Sequence, residues 1–169
     1  MLYLARSLSQ LHFGSLMAVY ADANRENGRE AWPEEPEMRQ IQLAEEEFYR
    51  YLSQVFFKTP GAICAVWEES GRYVSALRLE PYRDGLLLEA LETDPEQRRR
   101  GYAAGLIEAV QTYLGEAGKL YSHVDKRNIP SLKTHEKCGF RRIADVAVYV
   151  DGSVNRKACT MCWDDKPSV

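Results

Sequence analysis

Long apolar runs are the first thing this sequence lacks. No segment approaches the about 20 consecutive apolar residues of a membrane-spanning helix. In the amino-terminal stretch MLYLARSLSQLHFGSLMAVYADA, Gln10 and His12 interrupt the apolar residues well before the cleavage-like triplet Ala21-Asp22-Ala23. A signal-peptide core of about 7–15 apolar residues is therefore missing, and a soluble, cytoplasmic protein with no membrane partner is expected. Cysteine is scarce: the set is Cys64, Cys138, Cys159 and Cys162. Cys159 and Cys162 form a Cys-x-x-Cys, but no second pair or matched histidines complete a zinc set. On a strand, residues three apart face opposite sides, which suits neither shared ligation nor a disulfide. No metal is expected, and the thiols read as ordinary ones in a reducing compartment. Positive charge is not in excess either. The formal net charge is −3, against the basic face that bulk nucleic-acid binding needs. Repeats, low-complexity tracts and linker-like stretches are also missing, so the expectation is one domain over residues 1–169.

What is present can bury a core, since 45% of the residues are hydrophobic. Leu2 to Leu8 reads as a first strand, and Ser9 as the N-cap of a helix reaching about Asn24. The turn-rich NRENGREAWPEEPE is expected to be a loop. From Glu37 to Phe57 the residues Ile41, Ala44, Phe48, Leu52 and Val55 follow helical spacing, with Glu45, Glu46 and Glu47 on the solvated side. AICAVWEE, RYVSALRLEPY and LLLEALET follow as strands, separated by Ser70-Gly71 and Asp84-Gly85 turns. A helix is expected from Gly101 to Ala117, with Gly118 as its C′ residue. KLYSHVD is another strand, NIPSLKTHEKC a short helix closed by Gly139, and FRRIADVAVYV and KACTMCW the final strands. The order β-α-α-β-β-β-α-β-α-β-β implies an α/β fold with a mixed sheet and helices on its faces.

The stretch TDPEQRRRGYAAGL carries the chemistry. It places Arg98, Arg99 and Arg100 immediately before a helix start, where unpaired N–H groups and the helix dipole already attract anions. Cations there make sense if a phosphate is expected. A Walker A loop would need Lys-Ser/Thr after its glycine, and a dinucleotide fingerprint would need Gly-x-Gly-x-x-Gly; neither occurs. What remains is Arg98-x-x-Gly101-x-Ala103, preceded by Thr93-Asp94-Pro95. Gly101 permits close backbone approach to a pyrophosphate, and the small Ala103 and Ala104 keep the first turn open.

That pattern resembles the acetyl-CoA loop of the GNAT superfamily of N-acetyltransferases. A later segment, Asn128-Ile-Pro-Ser131-Leu-Lys-Thr-His135-Glu-Lys137-Cys-Gly139-Phe140, is similar to the family's helix following the next strand. The resemblance implies the GNAT acyl-CoA N-acyltransferase fold and acetyl-CoA as co-substrate. It also implies binding by Arg98, Arg99, Arg100, Gly101, Tyr102, Ala103 and Ala104 at the loop, with Asn128 and Ser131 on the later helix. The pantetheine arm would pair with the backbone of Leu91 to Thr93, and a Thr93 N–H would polarise the thioester carbonyl.

Acetyl transfer to an amine needs removal of an ammonium proton and a donor for the departing thiolate. The family commonly places a tyrosine donor where this chain has His135, a departure that leaves a chemical role and a packing role both open. Glu89 and Glu92 are the candidate bases, placed on opposite faces of their strand by simple alternation. His12 and His123 read as packing or surface residues. The acidic segment Glu30 to Glu47 hints at a cationic acceptor. The expected activity is acetyl-CoA-dependent N-acetylation of a primary amine: a polyamine, amino acid, aminoglycoside or peptide N-terminus. The contrasting class is a non-catalytic acyl-CoA-binding sensor or regulatory module on the same fold. A homodimer stays open.

Overall fold

A computed structural model describes residues 1–164. One seven-stranded sheet, its central strands buried on both faces, is built from β1 (Leu2–Ala5), β2 (Ile63–Glu69), β3 (Arg72–Tyr82), β4 (Gly85–Thr93), β5 (Lys119–Asp125), β6 (Arg141–Ala144) and β9 (Ala158–Asp164). The strand order is β1-β2-β3-β4-β5-β9-β6. All neighbours are antiparallel except β4 and β5, which run parallel. Two short strands, β7 (Ala147–Val148) and β8 (Val154–Asn155), pair with each other outside this sheet. The architecture is the expected mixed α/β one.

Helices cover both faces. The first face carries α4 (Tyr102–Leu114) and α5 (Ile129–Lys137), packed over Leu77, Leu79, Leu88, Leu120 and Met161. The second carries α1 (Phe13–Val19), α2 (Ala21–Ala31) and α3 (Glu37–Gln54), packed over Cys64, Val66 and Ala76. Cys159 and Cys162 bury on opposite faces, as their spacing on a strand requires.

The amino-terminal region departs most from its expected form. The first strand ends at Ala5, and residues 8–10 form a single 3-10 turn. Helix α1 begins at Phe13, capped by His12 rather than Ser9; the His12 ring accepts the Ser15 N–H at 3.1 Å. The segment expected to be a loop is mostly α2, and only residues 32–36 connect it to α3. Gly28 lies inside α2 because a Cβ there would sit 2.4 Å from the Gln40 carbonyl oxygen of α3. The glycine that reads as a helix breaker is thus the contact point of two helices.

Other boundaries shift less. Helix α4 ends at Gly115, whose φ of 67° makes it the terminating glycine; Gly118 has φ −70° and is no C′ residue. The expected final strand FRRIADVAVYV divides into β6 and β7.

Candidate active site

The fourth strand does not keep simple alternation. Ala76 of β3 pairs with Glu92 and Arg78 with Glu89, so Ala90 and Leu91 together oppose Leu77 alone. This is a β-bulge, with Ala90 in the left-handed region at φ 50°. Tyr20 of α1's C-terminal cap stabilises it by donating its hydroxyl to the Ala90 carbonyl at 2.7 Å. Burial raises the Tyr20 pKa, so the ring stays a donor. Because Ala76 and Arg78 share a face, Glu89 and Glu92 share it too. Sequence alternation had placed them on opposite sides; the extra residue at the bulge corrects that.

Both carboxyls therefore face α1–α3. Burial is the largest influence on each and raises its pKa. Arg78 opposes the effect at Glu89, with Nε 3.8 Å from Oε1, a separation too long for a hydrogen bond. The Arg78 guanidinium is itself held over the rings of Phe48, Tyr51 and Phe56, at 5.6, 4.9 and 5.6 Å. Around Glu92 the charged neighbours are Arg98, then Asp22 and Glu26 of α2. The acidic groups around Glu92 are thus Asp22 and Glu26 of α2.

Beyond the bulge β4 parts from β5. Their parallel pairing covers only Leu86–Leu88 against Leu120–Ser122. The Asp94 N–H donates to Val74 of β3 at 2.9 Å, which directs the N–H of the preceding Thr93 to the opposite, open edge. On the α4 side this edge borders a cleft of about 680 Å³, whose floor and walls include Leu91, Thr93, Arg99, Gly101, Ala103 and Ser131.

The loop before α4 has the shape of an anion cradle. Arg99 and Gly101 both have positive φ, 63° and 82°. A Cβ on Gly101 would meet nothing within 4 Å, so the backbone here borders open space. The first N–H bonded into the helix is that of Gly105, to the Gly101 carbonyl at 2.9 Å. Tyr102, Ala103 and Ala104 thus supply the donors of the helix start, and all of them line the cleft. Of the arginines, Arg99 lines the cleft and Arg100 does not. Arg98 also borders it, yet its Nη2 is paired to Asp22 Oδ2 of α2 at 2.8 Å.

Where β4 and β5 diverge, a slot of about 170 Å³ runs between the strands and α5. Among the described residues, the buried side-chain N and O atoms without a partner are Arg78 Nε, Glu89 Oε1, both ring nitrogens of His123, and His135 Nε2. All but the Arg78 atom belong to residues lining this slot. Buried polar atoms are usually paired in folded proteins, so these are atoms for which a water or another molecule in the slot would supply a partner.

His135 lies at 2% exposure, edge-on to Phe140 at 5.0 Å. Its Nδ1 is 2.8 Å from the Ser131 carbonyl oxygen. A carbonyl can only accept, so Nδ1 carries the hydrogen and Nε2 the lone pair. Burial lowers the His135 pKa, more than the Ser131 bond raises it. Asn128 caps α5 by accepting the Ser131 N–H at 3.2 Å, which fixes the turn that holds His135. His123, read from the sequence as packing or surface, packs edge-on between the rings of Tyr82 and Tyr149 and also lines the slot. Burial, then Arg83, lower its pKa. Nothing in the strand pattern marks it, since only the divergence of β4 from β5 exposes that position. Among the described residues there is no cluster of His, Cys, Asp and Glu able to hold a metal, and no helix long and apolar enough to cross a membrane.

The sequence profile of the acetyltransferase (GNAT) family matches residues 18–140. The chain belongs to this family of enzymes. No curated protein matches it. Solved structures share the GNAT fold at low identity. Aminoglycoside 6'-acetyltransferase type Ii superposes with TM-score 0.62 at 15% identity, covering 100% of this chain and 99% of that one. The ribosomal-protein-S18-alanine N-acetyltransferase of Escherichia coli gives 0.60 at 16%, covering 100% and 97%. The PaiA N-acetyltransferase of Thermoplasma acidophilum, solved in complex with coenzyme A, gives 0.59 at 13%, covering 97% and 99%.

Proposed function

We propose that this GNAT-family acetyltransferase is a cytoplasmic, single-domain enzyme that uses acetyl-CoA to acetylate a primary amine of cationic character. The observation that carries the reading is the slot between β4 and β5, lined by Glu89, His123 and His135, each with an unpartnered buried atom, beside a helix-start anion cradle.

The backbone N–H groups of residues 102–104 would hold the diphosphate, with Arg99 adding charge from the loop. The open β4 edge at Leu91 and Thr93 would take the pantetheine amides as an added strand. The Thr93 N–H, directed to that edge, would stabilise charge on the thioester carbonyl oxygen. Asn128 and Ser131 shape the opposite wall. On the other face, Glu89 or Glu92 would take a proton from the incoming ammonium, their raised pKa values bringing them nearer the operating pH. His135 would deliver a proton to the departing sulfur. The acidic wall of Asp22, Glu26 and Glu92 favours a polyamine, an aminoglycoside or a basic peptide N-terminus over a neutral amino acid.

Calorimetry with acetyl-CoA tests the cradle. The parent should bind and gain thermal stability by mass action. Gly101→Glu, which adds negative charge and a side chain at φ 82°, should abolish both effects. Gly101→Ala controls for backbone strain and should weaken binding without abolishing it. Equal binding by the parent and Gly101→Glu would rule out this phosphate site.

A further inference from the structure

Resting on the acetyl-transfer reading, we infer that His135 is a proton relay: its Nε2 first accepts the proton shed by the attacking amine nitrogen, then returns that proton to the sulfur. The geometry carries this. The Nδ1–H is committed to the Ser131 carbonyl at 2.8 Å, so the atom left for chemistry is a bare lone pair. A donor waiting for a thiolate would present a hydrogen there instead. The ring is 2% exposed, and the unpartnered Nε2 belongs to a residue lining the slot.

One group can serve both atoms because nitrogen and sulfur are bonded to the same carbonyl carbon once attack has occurred. The first N–H proton of the ammonium leaves before attack, to Glu89 or Glu92 and then to water. Attack forms the C–N bond and leaves a second, now acidic, proton on the nitrogen. His135 takes it: an N–H bond breaks and an Nε2–H bond forms. The imidazolium then gives the proton to sulfur as the C–S bond breaks, forming S–H and restoring the neutral ring. Ammonium and thioester become amide, thiol and one released proton. Burial that disfavours the imidazolium makes its return of the proton fast.

The titratable groups that line the slot with His135 are Glu89 on β4, and His123 and Asp125 on β5, whose side chains leave their strands on the sheet face away from α5. Cys138 follows on its own helix, and its thiol, raised by burial to about 11, does not titrate near neutrality. Glu108 of α4 lies near that thiol. His123 is the rival relay, since both of its ring nitrogens are unpartnered.

Nitrogen-15 NMR of the histidine rings in the full-length protein tests the inference without turnover. At pH 7, His135 should be neutral, protonated at Nδ1 and bare at Nε2. Added CoA should move the Nε2 signal as its S–H donates to that lone pair, and desulfo-CoA should not. An Nε2–H tautomer, an imidazolium at pH 7, or identical responses to the two compounds would overturn the relay. In turnover, kcat should rise with pH through the His135 titration to a plateau. His135→Gln should lose about 100- to 10,000-fold in kcat with little change in the KM for acetyl-CoA. His123→Asn should keep the same limb; if it removes the limb instead, His123 is the relay and the assignment fails. A kcat that falls through the His135 titration would make His135 a simple acid. Binding of CoA with no turnover of any amine would fail the acetyl-transfer reading itself, whatever the ring tautomer.

Discussion

Arg98 Nη2 stands 2.8 Å from Asp22 Oδ2, joining the anion-cradle loop to the first turn of α2 on the opposite side of the sheet. The arginine that opens the family-like loop motif therefore has its guanidinium held by a carboxylate of α2. Both partners are roughly half exposed, so the pair contributes only about 0.2–1 kcal/mol to stability.

Its larger effect concerns the acceptor. Arg98 is the cation that lowers the pKa of Glu92 against burial and the nearby Asp22 and Glu26. Arg98→Gln should strengthen the acidic wall and lower the KM for a polyamine, while changing the KM for acetyl-CoA by less than about fivefold, the factor about 1 kcal/mol carries. Asp22→Asn should raise the polyamine KM. Steady-state kinetics with each substrate varied in turn decide it. A large rise in acetyl-CoA KM with unchanged amine KM in Arg98→Gln would return that side chain to the diphosphate.

Tyr20→Phe removes the donor to the Ala90 carbonyl and leaves a bulge oxygen unsatisfied. A cost of about 1–3 kcal/mol is expected, read as a lower denaturation midpoint. Because the bulge puts Glu89 and Glu92 on one face, kcat should fall as well. An unchanged midpoint would show that the bulge does not depend on this bond.

Gly28→Ala should destabilise although alanine favours a helix by about 1 kcal/mol over glycine. The new Cβ would lie 2.4 Å from the Gln40 carbonyl, forcing α2 and α3 apart at an overpacking cost of about 1–3 kcal/mol. Thermal unfolding measures the net sign, and a stabilised variant would contradict the close approach.

The pH dependence of stability has a predicted direction. Burial lowers the His135 pKa, so the folded protein binds that proton less tightly than the unfolded chain. Stability from this group is complete above the unfolded value of about 6.5 and is lost as pH falls through the depressed folded value. Glu89 and Glu92, with raised values, act in the opposite sense: their stabilisation is greatest at low pH and is lost as pH rises through their folded values. The difference in unfolding free energy between parent and His135→Phe isolates the histidine. It should shrink as pH falls below about 6.5, and a pH-independent difference would contradict a buried neutral ring.

Much of this was legible in the chain. Residues 72–82 alternate and end at turn dipeptides, and their strand boundaries came out as read. The loop-to-helix junction at Gly101 was legible because its physics is local. Features set by distant contacts were not. The composition of residues 24–28 reads as a turn, and only the approach of Gln40 to Gly28 shows why it is a helix. Ala90 at φ 50° is not a glycine, so no residue type advertised the bulge that reverses one glutamate's face. Arg98 looked free for a phosphate because Asp22, its partner, lies far away in sequence.

The central claim is acetyl transfer at the slot, and thiol release tests it most directly. The protein would be incubated with acetyl-CoA and, in turn, spermidine, an aminoglycoside, a basic peptide and a neutral amino acid, with products weighed by mass spectrometry. The account predicts free CoA and an acetylated amine from at least one cationic acceptor, with kcat lowered in His135→Gln. Tight acetyl-CoA binding with no thiol release above background for any amine would contradict it, and would leave a protein that binds the co-substrate without using it.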